Sequence, residues 1–356
     1  MKALSLFSGC GGDTLGMSMV GVDVKWYVEI KKDFQKSHEL NFKDSELLGS
    51  DITKIPDETF SKLKGQVDII FAGFPCQSFS HGGKKDPDDP RGQLFMEFVR
   101  ATRLIEPKYI IGENVKGLLS RKTKKGENFF EIILESFLDI GYICDYKVLK
   151  SEEFGVPQKR ERLLIVGTPG GFTEKFDPKL KTNMDVSLEK ILTFDMYGAI
   201  KVQKQLFEEA GVPENAILKG ECAEEEPPLE NVHPYLTLKA NEKGITYNNK
   251  YISEYSFSYE KRKSPIHCEI VNKEKPSKTI ICTYDHQPRL FVPLQTSEGY
   301  YLRPFLINEL KMIQGFPQDY QLYGNLKKQI VQLGNAVPPP MVAAVVQWLA
   351  HQCPSV

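Results

Sequence analysis

One thiol, one carboxylic acid, a basic run and a glycine-rich turn are the groups in this chain whose types and spacing can do chemistry. Cys76 lies in Gly73-Phe74-Pro75-Cys76-Gln77-Ser78-Phe79-Ser80, just after an apolar run at 67–72. A thiol in a loop at a strand end is placed as a nucleophile, although a lone Cys also packs there as a small apolar side chain. Glu113, in Gly112-Glu113-Asn114-Val115, closes the next apolar run. A carboxylic acid beside a thiolate can hold or protonate a ring nitrogen. Lys159, Arg160 and Arg162 fall within Val156-Pro157-Gln158-Lys159-Arg160-Glu161-Arg162. Strand alternation sets Arg160 and Arg162 on one face, where they can orient Glu113 and touch a carbonyl oxygen; the plainer alternative is an exposed charge run.

The opening apolar run leads into Phe7-Ser8-Gly9-Cys10-Gly11-Gly12 and then a helix-like stretch. Glycines at that junction let a ligand approach the backbone at a helix start, and Glu29, after the second apolar run, can accept both hydroxyls of a ribose. On spacing alone this pattern suits NAD, a flavin or S-adenosylmethionine, and a tight turn beside a surface Glu reads equally well. His267, Cys268, Cys282 and His286 could be brought to one metal, but their spacings fit no standard finger, so no metal is expected.

The elements that must position these groups follow from periodicity. Apolar runs at 3–7, 24–28, 67–72, 109–111 and 163–166 read as strands, and amphipathic stretches at 13–19, 94–105 and 128–140 as helices. This alternation predicts an α/β fold with a doubly wound, mostly parallel sheet whose ligands sit at the carboxyl ends of the strands. From about 184 to 300 the pattern changes to an acid- and Pro-rich stretch at 221–230 and then short Tyr-, Thr- and Ile-rich pieces, which read as a second, smaller domain. Helical periodicity at 306–313 and 341–349 implies that the C-terminal part packs back on the first domain.

The chain has 356 residues, 41% hydrophobic and 26% charged, an ordinary globular composition far from that of a disordered chain. Its 46 basic and 47 acidic residues require any polyanion to be met by a local basic face. Without an 18-residue apolar run or a signal-like start, a soluble cytoplasmic protein is expected, and seven scattered Cys without a Cys-x-x-Cys point to reduced thiols.

Taken in order, these motifs resemble those of the cytosine-C5 DNA methyltransferases over nearly the whole length. The resemblance implies a Rossmann-like catalytic domain at 1–184 plus 328–356, and a target-recognition domain with its hinge at 185–327. It implies S-adenosylmethionine as cofactor, with S-adenosylhomocysteine as product, held by the turn at Phe7, Ser8, Gly9, Cys10 and Gly12, with Phe7 stacked on adenine. Glu29 and Ile30 would meet the ribose, and Asp51 and Ile52 the adenine. Gly73, Pro75 and Leu94 would line the pocket, and Gly334-Asn335-Ala336-Val337 would return to it, through Asn335, Ala336 and Val337. Cys76, Glu113, Arg160 and Arg162 would be the catalytic set acting on a flipped cytosine.

For DNA the resemblance implies Gln77, Ser80, Lys84, Lys85 and Arg91 on a mobile loop, with Gln158, Thr279 in Lys275-Pro276-Ser277-Lys278-Thr279-Ile280, and Arg289. Lys116, Arg121, Lys122, Lys124 and Lys125 are further candidates for phosphate contact, and Arg262, Lys263, His286 and Gln287 for reading base edges. Double-stranded DNA is the expected partner of a monomeric protein of the restriction-modification type, which leaves room for a cognate endonuclease acting independently; no membrane is expected. Leu306 and Asn308 depart from the family's Arg-Leu-Thr-Pro-Arg-Glu helix, whereas Glu309 and Gly315-Phe316-Pro317 remain. A tRNA-methylating branch shares the catalytic motifs, but its Cys-Phe-Thr tripeptide is absent. A non-catalytic relative would not need Cys76 and Glu113, and an NAD-dependent oxidoreductase would explain neither Pro75-Cys76-Gln77 nor the arginines.

Overall fold

The structure is a computed structural model that describes residues 1–75, 94–123, 126–179, 184–221, 268–285 and 288–352, together with the backbone of four short strands between 236 and 259. The N-terminal half forms β1 (Lys2–Leu6), β2 (Asp23–Val28), β3 (Glu46–Gly49), β4 (Ile69–Ala72), β5 (Tyr109–Asn114), β6 (Ile143–Lys150), the short β7 (Gln158–Lys159) and β8 (Glu161–Thr168). Seven of them make one sheet in the order β3-β2-β1-β4-β5-β8-β6. The first five strands run parallel, while β8 lies antiparallel to both β5 and β6. The mostly parallel α/β sheet is therefore as expected, with one reversed strand, β8, next to the edge, that the periodicity does not reveal.

The four residues of β4 are all buried, as suits a central strand covered on both faces. Helices cover it there: α1 (Gly12–Ser18), α2 (Lys32–Asn41), α3 (Asp57–Ser61), α4 (Leu94–Ile105) and α5 (Phe129–Leu138). On one face Phe95, Phe98 and Val99 of α4 join Leu4, Leu6 and Ile70, and the Phe98 and Phe137 rings meet edge to face. On the other, Met17 joins Ala3, Met341, Val342 and Val345, from a helix near the far end of the chain. A Cβ on Gly16 would stand 2.4 Å from the Pro339 carbonyl oxygen, so the α1 backbone is in direct contact with that helix.

The second half contains β9 (Ile200–Val202), α6 (Lys204–Ala210), β10 (Leu218–Lys219), β11 (Leu236–Ala240), β12 (Ile245–Tyr247), β13 (Lys250–Tyr251), β14 (Tyr255–Tyr259), β15 (Cys268–Ile270), β16 (Ser277–Lys278), β17 (Leu290–Thr296) and β18 (Gly299–Arg303). A second sheet runs β13-β12-β15-β17-β18-β9 with β10 beside β17, and β11 pairs with β14. Phe207, Cys268, Ile270, Phe291 and Leu302 are among its core. β16 leaves that sheet and pairs in parallel with β7, joining the two halves.

The chain then returns through α7 (Ile307–Ile313), α8 (Leu326–Asn335) and α9 (Pro339–His351). Cys10 of the first turn shares a core with Tyr284, Leu310, Phe316 and Leu333. Arg303 and Glu309 are paired in this junction, both buried, with Nη2 2.7 Å from Oε1. The same acid accepts the Leu306 N–H at 2.8 Å and the Thr193 N–H at 3.1 Å. Leu306 lacks a capping oxygen, so α7 keeps only the acidic half of a capping box. Glu309→Ala would leave a guanidinium buried without its acid and should lower stability by about 3–5 kcal/mol in urea unfolding; a loss below about 1 kcal/mol would mean that the pair does not hold the junction.

Candidate active site

The turn after β1 is held in left-handed backbone, with φ of 58° at Phe7 and 59° at Gly9. A non-glycine residue in that region is strained and persists only where the surroundings fix it. Here the Ser8 N–H donates to the Val28 carbonyl at 3.1 Å, and the Gly9 N–H to Glu29 Oε2 at 2.9 Å. The other Glu29 oxygen accepts the Lys31 N–H at 2.7 Å. Burial pushes the Glu29 carboxyl pKa up, and the Lys31 and Gly9 amides oppose the rise. Gln35 donates to the Glu29 carbonyl and, at 3.0 Å, to Ser50 Oγ, so one amide links the acid after β2 to the residue before Asp51. Nothing in the local pattern singles out Gln35.

Gly12 serves packing: a Cβ there would lie 2.5 Å from the Val337 carbonyl oxygen, so the late motif closes directly over the turn. Ala336 and Val337 are buried, while Asn335 is exposed and donates to the Val331 carbonyl at 2.7 Å. The Cys10 thiol is buried and its pKa is pushed up to about 12, chiefly by burial, so this residue offers the turn its backbone. Ile30 is 64% exposed. Asp51 caps the turn at Ile52–Lys54, accepting from the Thr53 N–H at 3.1 Å, and Ile52 is buried. Leu94 opens α4 half-buried.

β5 runs on to Asn114, so Glu113 is inside the strand, opposite Leu164. Its Oε1 lies 2.7 Å from Arg162 Nε, with side chains 13% and 14% exposed. Burial lowers the Arg162 pKa, and Glu113 opposes that. A Cβ on Gly73 would lie 3.6 Å from Glu113 Oε2 and 3.8 Å from the Phe7 carbonyl oxygen, so the glycine turn, the end of β4 and this ion pair converge on one edge. Asn114 Nδ2 donates to the Phe74 carbonyl at 3.1 Å and holds the backbone just before half-buried Pro75. Cys76, Gln77, Ser80, Lys84, Lys85, Arg91, Lys124, Lys125, Arg262, Lys263, His267, His286 and Gln287 lie outside the described residues.

Two of the expected site residues are buried and bonded across the two halves. Gln158, expected against DNA, is fully buried: its amide donates to Gln314 and accepts the Ile280 N–H at 2.8 Å. Arg160, between β7 and β8, is close enough to Arg162 and Glu113 for both charges to act on its pKa, but its hydrogen bonds go to main chain. Its guanidinium, 1% exposed, donates to the carbonyls of Ile280 at 3.2 Å, Gly334 at 2.9 Å and Ala336 at 3.2 Å. Thr279 is exposed, and its hydroxyl donates to the Lys159 carbonyl at 2.6 Å. Lys159 and Thr279 stand between two open cavities. One, of about 470 Å3, includes Lys116, Lys150 and Arg162; the other, of about 400 Å3, includes Glu269, Lys278 and exposed Arg289. Lys116 pairs with Glu161 at 3.1 Å. Among the described residues no group of His, Cys, Asp and Glu could hold a metal ion, and no helix is long and apolar enough to cross a membrane.

Such a sheet, with a glycine turn and an acid at the ends of its first two strands, defines a Rossmann-like methyltransferase fold. Residues 1–351 match the C-5 cytosine-specific DNA methylase family, and the chain belongs to it. It is a DNA (cytosine-5-)-methyltransferase by class. The type II methyltransferase M1.HphI of Haemophilus parahaemolyticus is 29% identical over 350 residues, covering 97% of this chain and 85% of that protein. M.MthTI of Methanothermobacter thermautotrophicus, another type II methyltransferase, is 31% identical over 354 residues, 95% of this chain and 93% of its own. The solved structure of the Entamoeba histolytica methyltransferase EhMeth shares the fold, with a TM-score of 0.65 at 16% identity over 100% of this chain and 99% of that one.

Beneath the glycine turn, buried Asp13 accepts a hydrogen bond from Ser5 Oγ. Burial pushes its carboxyl from the ordinary 3.8 up to about 7, with Glu113 adding to the rise. The folded chain thus holds this proton more tightly than the unfolded one, and the associated stability, present below about pH 4, is lost as the pH rises through 7. Asp13→Asn cannot ionise, so its stability relative to wild type should improve by roughly 2–4 kcal/mol between pH 4 and pH 8.5 in denaturant titrations. A difference that does not change with pH would assign the titration to another group.

Proposed function

We propose that the chain transfers the methyl group of S-adenosylmethionine to C5 of a cytosine flipped out of a specific site in duplex DNA, through a covalent bond between Cys76 and C6. The observation that carries this reading is the Glu113–Arg162 pair facing Gly73, three residues before Cys76. Cytosine C5 attacks a methyl donor only after a nucleophile has added at C6. The Cys76 thiolate forms the S–C6 bond, and the C5–C6 π electrons move toward C5. Glu113 pairs with N3 and the exocyclic amine, giving N3 a proton or a hydrogen bond as charge builds on the ring, while Arg162 fixes the acid's orientation. S-adenosylmethionine supplies the sulfonium methyl that C5 takes. Loss of the C5 proton then returns the electron pair to the ring, and the C6–S bond breaks to regenerate the Cys76 thiolate.

The donor set fits the cofactor. Glu29 presents two carboxylate oxygens, each holding one backbone amide, with acceptor capacity left for a ribose diol. Phe7 is half-buried beside it and Asp51 borders the same edge. A base inside a stacked duplex cannot be reached at C5 or C6, so flipping costs a few kcal/mol that DNA contacts must offset. Lys116, Lys150 and Lys159 on the open groove support phosphate contact, and residues 185–327, with the second sheet and Thr279, are the proposed recognition domain. The type II methyltransferases named above support a restriction-modification setting, in which a separate endonuclease would read the same site.

DNA carrying 5-fluorocytosine in the target site should trap a denaturation-resistant adduct with the wild type and S-adenosylmethionine, because fluorine cannot leave as a proton does. Cys76→Ala should give neither adduct nor turnover, and an equal adduct on that variant would refute the nucleophile. Glu29→Ala should weaken S-adenosylmethionine binding by roughly 1.5–3 kcal/mol, the scale of hydrogen bonds to a charged group, with DNA affinity nearly unchanged; calorimetry that finds unaltered cofactor affinity would remove Glu29 from the site.

A further inference from the structure

We infer that Glu269 determines specificity by accepting a hydrogen bond from the exocyclic amino group of one base, cytosine N4 or adenine N6, in the recognised site. This rests on the reading that the chain methylates duplex DNA. Glu269 is the middle residue of β15, between Cys268 and Ile270, which are fully buried in the second sheet's core. Alternation therefore turns the Glu269 side chain to the opposite face. Its backbone is pinned there by pairing with Leu290 and by a 2.7 Å bond from its N–H to the Arg289 carbonyl.

That face is the wall of the cavity of about 400 Å3, backed by Ile281, Tyr284 and Leu290 and rimmed by Lys159 and Arg289. Through Lys159 and Thr279 it is continuous with the groove that reaches Arg162, the partner of Glu113. A surface that must meet a polyanion gains from each cation on its rim and loses from a carboxylate, unless that carboxylate finds a donor in the nucleic acid. Lys278 pairs with Glu269 and moderates the cost, but a partly exposed ion pair contributes little, a weak reason for an acid at this position. In the major groove a carboxylate can accept from cytosine N4 or adenine N6, whereas the guanine edge offers it only acceptors.

The test methylates a library of duplexes randomised around the target cytosine and sequences it after bisulfite conversion. Wild type should demand cytosine or adenine, and reject guanine and thymine, at one position on one strand. Glu269→Ala should lower discrimination at that position by about tenfold and leave the others intact; Lys278→Met, which removes the ion pair and keeps the acid, should retain the wild-type preference there. Preferences of Glu269→Ala identical to wild type at every position would overturn the inference. So would an equal, uniform loss in both variants, the mark of a structural ion pair. If Glu269→Ala methylates too slowly to sequence, selection of bound duplexes from the same library decides: relaxation at one pair supports the assignment, and unchanged selection overturns it. Failure of the wild type to methylate any duplex would overturn the proposed function first, and this inference with it.

Discussion

The buried Arg160 guanidinium, hydrogen-bonded to main-chain carbonyls of Ile280, Gly334 and Ala336, is the interaction on which the arrangement of the two sheets depends. Taking a guanidinium out of water is costly, and burial lowers the Arg160 pKa well below its ordinary value. Three carbonyl dipoles, one after Thr279 and two at the C-terminal end of α8, oppose that cost. The cation therefore fixes where the strand leading to Arg162, the segment after Thr279 and the motif closing over the glycine turn stand relative to one another. Gln158 and Gln314 extend the same network, Gln314 donating to the Ala336 carbonyl at 2.6 Å.

Around that anchor, adjacent residues of short elements divide between the site and its scaffold. β5 ends in Glu113 and Asn114: the first faces Gly73 and Arg162, and the second holds the Phe74 carbonyl. Adjacent residues on one strand point to opposite sides, so a single strand end can present an acid to the site and tie down the neighbouring loop. β7 and β16 do the same between the halves, because two paired residues on each side set exposed Thr279 beside Lys159 while Gln158 goes inward.

Much of this was legible in the sequence, and the remainder was not for identifiable reasons. Four of the parallel strands, β1, β2, β4 and β5, with α1, α4 and α5, follow from local apolar periodicity, and the glycine turn with Glu29 follows from spacing, whereas short β3 was not foreseen. The antiparallel placement of β8 against β5 does not, since a fully buried strand carries the same apolar run in either direction. Alternation read Arg162 correctly toward Glu113 but said nothing of Arg160's hydrogen-bond partners at 280, 334 and 336, distances over which local pattern carries no information. Gln158 came to the DNA-binding set through its motif alone, and its bonds to Gln314 and Ile280 lie equally far along the chain. Asn114 lay in a recognised motif, and only its bond to the Phe74 carbonyl gives it a task.

The contact of Gly12 and Gly16 with Val337 and Pro339 bears on how the molecule is born. Both glycines leave the ribosome early, shaped for a helix that is translated long after them. Until α9 emerges, the Met17 side of α1 has no cover, and the carbonyl that shuts the turn has not yet been made. The nascent chain must therefore carry an uncovered apolar face through most of its synthesis, a condition in which chaperone occupancy protects against association. Ribosome-released fragments that stop short of α9 are sealed neither at that face nor at the turn.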